Sequence, residues 1–301
     1  MTHDNPSSYT SHFVTAQDGL KLHHRDYGMA QSGPLPIVCL AGLSRNSVDF
    51  HALALALSAG TYGVPRRVLS LDYRGRGLSD YDVNWNHYDV KVESGDVLSV
   101  LTALSVDRAI FIGTSRGGLN AMVLAMMRPA LMAGIVLNDV GPVLEAKGLA
   151  RIRSYVGKLP APKSWADAVD LLKHVSSNHF TALGEADWQA YARQIFKEEA
   201  GKFVAQYDPK LMKTLEKLDL EAPLPNLWPQ YAGLAKIPLL VLRGANSDML
   251  SEATVLEMQK RHKNCSAYTV EGQGHAPLLY DAETQRNIAQ FIDRVDPKKP
   301  L

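Results

Sequence analysis

The stretch Ala109-Ile-Phe-Ile-Gly-Thr-Ser115-Arg-Gly-Gly-Leu-Asn120 places a serine between a short apolar run and a helical pattern. Residues 109–112 are typical of a buried strand, and residues 117–127 carry apolar side chains at three- and four-residue spacing, which predicts a helix. The Gly-x-Ser-x-Gly segment between them fits a sharp strand-to-helix turn, because glycines tolerate close approach of backbone segments. Such a turn exposes the Ser115 hydroxyl at the sheet edge, where the amides of the helix start favour negative charge. The pattern therefore predicts a nucleophilic serine.

Short apolar runs alternate with helical patterns along much of the chain. The predicted strands are 37–40, 67–71, 109–112, 134–137, 238–242 and 267–270, and the predicted helices are 90–104, 117–127, 251–262 and 281–295. This alternation is typical of an α/β fold with a mainly parallel sheet. The segment 13–27 predicts an antiparallel hairpin that turns at Asp18-Gly19.

Residues 141–235 break this alternation. They carry helical patterns with prolines at both ends, and about 95 residues are too many for a loop within a compact domain. We therefore expect an inserted helical cap, or lid, at 141–235 and a core formed by residues 1–140 and 236–301.

The composition limits the classes of function. The 301 residues include 32 Lys and Arg and 31 Asp and Glu, so the net charge of +1 gives no basic surface for nucleic acid. The longest apolar stretch, 119–137, is interrupted by Asn120 and by Arg128-Pro129, which argues against a membrane span. Cys39 and Cys265 match no metal spacing and suit reduced thiols. We expect a cytoplasmic monomer or homodimer with no metal, cofactor, nucleic-acid partner or membrane partner.

A serine nucleophile needs a base, and His275 is the candidate. It lies in the segment 273–277, after the last predicted strand and before the last predicted helix. The alternative is a solvated loop histidine without a role. His23 and His24 are neighbours in a predicted strand, so their side chains point to opposite faces and do not form a joint ligand set.

With these motifs the chain resembles the capped serine esterases and hydrolases of the α/β-hydrolase family. That family places a Gly-x-Ser-x-Gly turn after its fifth strand, a cap after the sixth, an acid after the sixth or seventh, and a Gly-His loop after the eighth. The segment 72–79, Asp-Tyr-Arg-Gly-Arg-Gly-Leu-Ser, is similar to a turn that the family carries after its fourth strand. The resemblance covers nearly the whole chain. It implies a mostly parallel eight-stranded sheet flanked by helices, with an inserted helical cap.

The resemblance also implies roles for individual residues. Ser115 would be the nucleophile, and His275 the general base and then the acid that protonates the leaving group. The backbone amides of Leu43 and Arg116 would form the oxyanion hole. This chain has Ala41-Gly42 where the family usually has His-Gly. The amide donor does not depend on that side chain, but the change leaves open what holds the loop in place.

Two aspartates compete to orient His275. Asp248 lies 27 residues before it, near the commoner position of the family's acid, although most relatives carry the acid where this chain has Ser247. Asp139 follows the 134–137 strand, 24 residues after Ser115, as in the branch whose acid follows the sixth strand. The sequence leaves both open, and each aspartate also suits a capping role at a turn or a helix start.

The predicted pocket combines aromatic and cationic groups. Trp165 and Trp188 of the cap are candidates for an apolar pocket over the serine, the alternative being that they pack within the cap. Arg45 follows the oxyanion loop and Arg116 follows the nucleophile, which favours esters that bear a carboxylate. The alternative for Arg116 is a salt bridge within the protein.

The sequence thus predicts a serine hydrolase that cleaves a carboxylic ester or thioester of a small, largely apolar substrate through an acyl-enzyme. Carbon–carbon bond hydrolysis, lactone hydrolysis and perhydrolysis use the same residues and stay open. A non-catalytic member of the fold that only binds a ligand is the alternative from a different class.

Overall fold

The apolar runs of the sequence form strands that pair side by side. A computed structural model describes residues 8–28 and 33–297. Its strands are β1 (Thr10–Thr15), β2 (Lys21–Tyr27), β3 (Ile37–Leu40), β4 (Val68–Leu71), β5 (Ala109–Thr114), β6 (Met132–Asn138), β7 (Phe196–Glu199), β8 (Lys202–Ala205), β9 (Leu239–Gly244) and β10 (Cys265–Val270). Eight of these form one sheet in the order β1-β2-β4-β3-β5-β6-β9-β10. Only the pairs β1–β2 and β2–β4 are antiparallel within that sheet. The predicted mostly parallel, eight-stranded α/β fold is confirmed.

Helices cover both faces of the sheet. The helices of the described chain are α1 (His51–Ala59), α2 (Val90–Ala103), α3 (Arg116–Met127), α4 (Ala146–Tyr155), α5 (Trp165–Ser176), α6 (Glu185–Ile195), α7 (Met212–Glu216), α8 (Trp228–Ala232), α9 (Glu252–Arg261) and α10 (Ala282–Val295). Alternate residues of each buried strand point to opposite faces, so Ile37 and Cys39 pack with α1 and α10, whereas Val38 and Leu40 pack with α2 and α3. Burial on both faces explains why these strands are continuously apolar.

The predicted helix α3 and the other predicted core elements lie within two residues of their expected bounds at nearly every end. The sequence pattern did not reveal α1, whose residues 51–59 are almost all alanine or leucine. Since both residue types are apolar, no polar face marks the helical period, although Leu53, Ala54 and Leu57 are buried.

The chain between β6 and β9 adds no strand to the eight-stranded sheet. We call residues 141–235 the inserted segment; it contains α4 to α8 and the separate hairpin β7–β8. The hairpin corrects the expectation of a purely helical insert, since strand β7 begins at Phe196, directly after α6 ends at Ile195. Its turn places Ala200 and Gly201 at φ of 50° and 72°, the conformation of a two-residue hairpin turn. The division into core and cap stays a prediction.

Two further features concern the cysteines and the lengths of the helices. Cys39 is buried, Cys265 is half-buried, and both are free thiols. Among the described residues, every helix is too short or too polar to cross a bilayer.

The neighbouring histidines of β2 have different surroundings. His23 Nδ1 lies 2.7 Å from Asp72 Oδ2, whereas the His24 ring stacks on His12 with 5.5 Å between the ring centroids. His24 is fully buried, and neither of its ring nitrogens has a hydrogen-bond partner among the described residues. Burial lowers the pKa of His24 to about 4, so this imidazole is neutral near pH 7.

Acid should therefore destabilise the fold through His24. Because its folded-state pKa lies below the ordinary value of 6.5, the unfolded chain takes up this proton first, and stability is lost as the pH falls from 6.5 towards 4. We expect a contribution on the order of 2 kcal/mol. Urea unfolding between pH 7 and 4.5 should show a smaller loss of unfolding free energy in His24→Phe than in the wild type. The same pH dependence in both proteins would contradict this origin.

Candidate active site

Ser115 lies on a sharp turn between β5 and α3, where its φ is 51°. A Cβ atom on Gly117 would collide with the carbonyl oxygen of Leu40, and one on Gly113 would lie 2.5 Å from the carbonyl oxygen of Gly117. The two glycines of the motif are therefore required by the close approach of α3 to the ends of β3 and β5. This confirms the strand-turn-helix context that the sequence predicted around Ser115.

The sheet order brings a second loop to the same place. β3 lies between β4 and β5, so the chain leaves β3 towards one side and β5 towards the other, which opens a crevice at their carboxyl ends. The loop after β3 contains Gly42 and Leu43, and a Cβ atom built on Gly42 would lie 3.9 Å from the Cβ of Ser115. The predicted oxyanion loop thus lies beside the serine.

His275 completes a chain of hydrogen bonds with Ser115. It lies on the loop that follows β10, and its Nε2 atom is 2.9 Å from Ser115 Oγ. Its Nδ1 atom is 2.8 Å from Asp139 Oδ2. Three side chains from three separate loops therefore form a Ser-His-Asp arrangement at the carboxyl edge of the sheet.

Asp139 is fully buried and held from several sides. Its Oδ1 atom accepts a hydrogen bond from the Gly244 amide at 2.8 Å, and its Oδ2 atom accepts one from the Ser247 hydroxyl at 2.6 Å. Ser247 occupies the position where most relatives of the predicted family carry the acid. Here that position donates a hydrogen bond to an acid that comes from the end of β6.

Asp248, the other candidate acid, has a different partner. Its carboxylate accepts hydrogen bonds from Arg151 Nε at 2.6 Å and Arg151 Nη2 at 2.8 Å. Although burial opposes ionisation, these bonds hold the pKa of Asp248 below its ordinary value. The structure therefore brings Asp139 to His275, whereas Asp248 forms an ion pair with Arg151 of α4.

A cavity of about 90 Å³ lies beside Ser115 and His275. The loop after β3 contributes Leu43 and Arg45 to its wall. The inserted segment contributes further wall residues, namely Ile152, Tyr155, Val156, Tyr191 and Gln194. Residues of the inserted segment therefore lie over the serine.

Arg45 lines this cavity with its charge already paired. Its Nε and Nη2 atoms each donate to the Asp49 carboxylate at 2.8 Å, and Nη2 also donates to Gln194 Oε1 at 2.6 Å. The guanidinium lies 4.8 Å from the ring centroid of Tyr191. Burial raises the pKa of Tyr191 to about 12, so its hydroxyl is neutral near pH 7.

Three other side chains that were candidates for substrate contacts are not part of the cavity wall. Arg116 donates to Glu93 Oε2 at 2.7 Å and to the Tyr88 carbonyl at 2.9 Å, the salt-bridge alternative that the sequence left open. Trp188 packs in an aromatic cluster with a centroid distance of 6.1 Å to Tyr191. Trp165 packs edge-on against Phe203 of the β7–β8 hairpin. Both tryptophans thus pack within the inserted segment, the alternative that the sequence left open.

A group of residues with metal-ligand chemistry lies elsewhere in the described chain. Asp18, Asp82 and His87 offer atoms within 4.8 Å of one another. Arg74 Nη1 donates to Asp18 Oδ2 at 2.8 Å and to Asp82 Oδ2 at 2.6 Å. This group is therefore an ion-pair cluster centred on a guanidinium.

Comparison with known proteins agrees with this architecture. The model of the alpha/beta hydrolase family matches residues 37–287, well over half of the chain. The chain belongs to the alpha/beta hydrolase family. This hydrolase is 33% identical over 268 residues to a 3-hydroxybutyrate-oligomer hydrolase of Cupriavidus necator, which covers 87% of this chain and 89% of the relative. It is 26% identical over 245 residues to an sn-1-specific diacylglycerol lipase of Mus musculus, covering 79% of this chain and 74% of the lipase.

A solved structure extends the likeness to the whole fold. The hydrolase superposes on the crystal structure of an alpha/beta hydrolase from Novosphingobium aromaticivorans with a TM-score of 0.86 and 36% identity, covering 95% of this chain and 99% of the other. Its similar proteins include enzymes named hydrolase, lipase and esterase, among them an esterase of Escherichia coli at 26% identity. By these relatives it is a carboxylesterase-like hydrolase.

Substitution of the two aspartates should have different effects on kcat. We expect Asp139→Asn to lower kcat for an ester by about 10⁴-fold, because an amide beside His275 Nδ1 favours the wrong imidazole tautomer. Asp248→Asn is the matched control and should keep most of the wild-type kcat while losing some stability with its Arg151 pair. Steady-state kinetics with p-nitrophenyl butyrate and thermal unfolding of both variants measure the two effects. Equal and mild losses of kcat in both variants would refute the assignment.

Proposed function

We propose that this hydrolase cleaves a short carboxylic ester through an acyl-enzyme formed on Ser115. The observation that carries the proposal is the pair of hydrogen bonds from Ser115 Oγ to His275 Nε2, at 2.9 Å, and from His275 Nδ1 to Asp139 Oδ2, at 2.8 Å. A hydroxyl group becomes an effective nucleophile when an adjacent base takes its proton during attack.

The steps follow from these contacts. His275 Nε2 takes the proton of Ser115 as Oγ attacks the ester carbonyl, and returns it to the alcohol oxygen as the carbon–oxygen bond breaks. A water molecule then gives a proton to His275 and its oxygen attacks the acyl-enzyme. Collapse of that second intermediate releases the acid and restores the Ser115 hydroxyl.

Asp139 supports both steps from its buried position. Its carboxylate fixes the tautomer in which His275 Nε2 accepts the serine proton, and it stabilises the imidazolium that forms. The hydrogen bonds from the Gly244 amide and the Ser247 hydroxyl keep the carboxylate in place. Since hydrogen bonds to a carboxylate favour its charged form, Asp139 is suited to this role.

The backbone amides of Leu43 and Arg116 are the proposed oxyanion hole. Arg116 is the first residue of α3, where a backbone amide has no carbonyl partner within the helix. Leu43 lines the same cavity as Ser115. Two amides so placed would donate to the carbonyl oxygen as negative charge develops on it.

The cavity supports a small substrate with a polar group. Its volume of about 90 Å³ lies below the roughly 300–1,000 Å³ typical of ligand pockets, which favours a short acyl chain. The cavity wall includes the polar side chains of Arg45, Tyr191 and Gln194, which suit a polar group on the substrate. The likeness to a 3-hydroxybutyrate-oligomer hydrolase supports the same class. We assign short esters of hydroxy acids as the substrate class, with residues 141–235 as the cap that encloses them.

Labelling with a fluorophosphonate tests the catalytic assignment. We expect the wild type to be labelled covalently and to lose its esterase activity, because the reagent reports an activated serine. Ser115→Ala should be unlabelled while its circular dichroism spectrum stays unchanged. A folded wild type that is not labelled would favour a ligand-binding member of the fold.

The charge pairing in the cavity leads to a second expectation. Asp49 offsets the charge of Arg45 in the cavity wall, and the Arg116 side chain lies outside that wall against Glu93, so a substrate carboxylate meets no unpaired cation there. The methyl ester of a 3-hydroxybutyrate dimer should therefore be hydrolysed at least as fast as the free dimer acid. Both rates are measured by chromatography as cleavage of the ester bond between the two units, which yields two molecules of 3-hydroxybutyrate from the acid and one from the methyl ester. The p-nitrophenyl esters of acetate, butyrate and octanoate are measured alongside. A higher kcat/KM for the acid would restore the carboxylate preference that the sequence suggested.

A further inference from the structure

The loop that carries Leu43 lacks the histidine found in most members of the resembled family, since Ala41 stands there. A backbone turn from the Arg45 amide to the Gly42 carbonyl, at 3.2 Å, shapes part of the loop. The second contact comes from outside it: Arg76 Nε donates to the Leu43 carbonyl oxygen at 2.8 Å. The side chain that holds this loop therefore comes from the turn after β4.

Arg76 is itself held rigidly. Its side chain is fully buried, and its Nη1 atom donates to the Arg74 carbonyl at 2.7 Å. The guanidinium lies 5.5 Å from the ring centroids of both Tyr73 and Tyr88. Packing on these sides removes the rotamer freedom of a long side chain, so its bond to Leu43 has a defined direction.

Glu93 of α2 connects Arg76 to the other side of the site. Its Oε1 atom lies 2.7 Å from Arg76 Nη1, and its Oε2 atom accepts the hydrogen bond from Arg116 Nε at 2.7 Å. Glu93 is fully buried, and although burial opposes ionisation, the two guanidinium groups hold its pKa below the ordinary value. One carboxylate thus contacts both Arg76, which holds the Leu43 carbonyl, and the side chain of Arg116.

A buried ion pair is weak evidence for stability, because desolvation of the charges offsets much of their attraction. The geometric consequence is more specific. The Leu43 carbonyl and the Leu43 amide flank one Cα atom, so fixing the carbonyl restricts the direction of the amide. Oxyanion donors act only when they lie within hydrogen-bond distance of the developing charge.

We propose that Arg76 is a positioning residue of the oxyanion hole, which orients the Leu43 amide directly and is coupled through Glu93 to Arg116. This inference rests on the proposed function. Arg76 touches no reacting atom; it sets the position of the amide that binds the oxyanion. The contact between Arg76 and Leu43 takes over the support of a loop that has alanine at position 41.

Arg74 offers a matched control within the same turn. It is also nearly fully buried, and it pairs with Asp82 and Asp96, with Nη2 2.6 Å from Asp96 Oδ1. Its side chain has no hydrogen bond to the loop 41–45 among the described residues. Arg74→Met therefore removes a buried guanidinium two residues away without removing a contact to Leu43.

The experiment compares Arg76→Met, Arg74→Met and the wild type with p-nitrophenyl butyrate. For Arg76→Met we expect kcat to fall about 10- to 100-fold with little change in KM, less than the loss of a complete oxyanion donor. A trifluoromethyl ketone forms a serine adduct that carries an oxyanion. Its inhibition constant should rise by a factor similar to the fall in kcat. Arg74→Met should lose stability without this selective loss. If Arg76→Met does not fold, Arg76→Lys, which keeps a cation beside Glu93, carries the same comparison.

The outcomes distinguish this inference from the proposed function. A wild type that neither hydrolyses the ester nor reacts with fluorophosphonate overturns the proposed function. An active wild type with equal kcat and equal ketone affinity in the folded Arg76 and Arg74 variants overturns only the positioning role. A parallel change in kcat and ketone affinity confined to the Arg76 variant supports it.

Discussion

The start of α3 packs directly against the end of β3, and Gly117 lies at the contact. A side chain there would collide with the Leu40 carbonyl, so the first turn of the helix lies as close to the sheet as backbone atoms allow. That approach places Ser115 beside the loop after β3 and directs the helix amides to the same point. The proposed nucleophile, the proposed oxyanion donors and the cavity all depend on this steric constraint.

Around this turn, the polar groups of the site form hydrogen bonds with one another. Asp139 receives hydrogen bonds from Gly244, Ser247 and His275, and Ser247 stands where the commoner acid would lie. The carboxylate beside His275 therefore comes from the end of β6, and Ser247, after β9, donates a hydrogen bond to it. Asp248 is bound to Arg151 of the inserted segment, where it joins the strand ends to α4.

The buried arginines of this molecule stabilise two different regions. Arg74 lies among Asp18, Asp82 and Asp96, and ties the hairpin, the turn after β4 and α2 together. Arg76, two residues later, contacts different partners, namely the Leu43 carbonyl and the Glu93 carboxylate. The same turn therefore contributes one side chain to the core and one to the proposed oxyanion loop. Arg45, in the cavity wall, is paired with Asp49 and Gln194.

The sequence by itself determined the alternation of strands and helices, the turn at Ser115 and the loop of His275. These features depend on spacing and glycine sterics within a few residues, which local sequence encodes. It did not determine the β7–β8 hairpin, whose turn residues Ala200 and Gly201 carry a weak signal. Only the tertiary structure places Asp139, and not Asp248, beside His275. Asp139 and His275 are 136 residues apart in the chain, and Arg151 and Asp248 are 97 apart. Pairings at such separations depend on how strand ends and helices meet in space, and no local pattern records them.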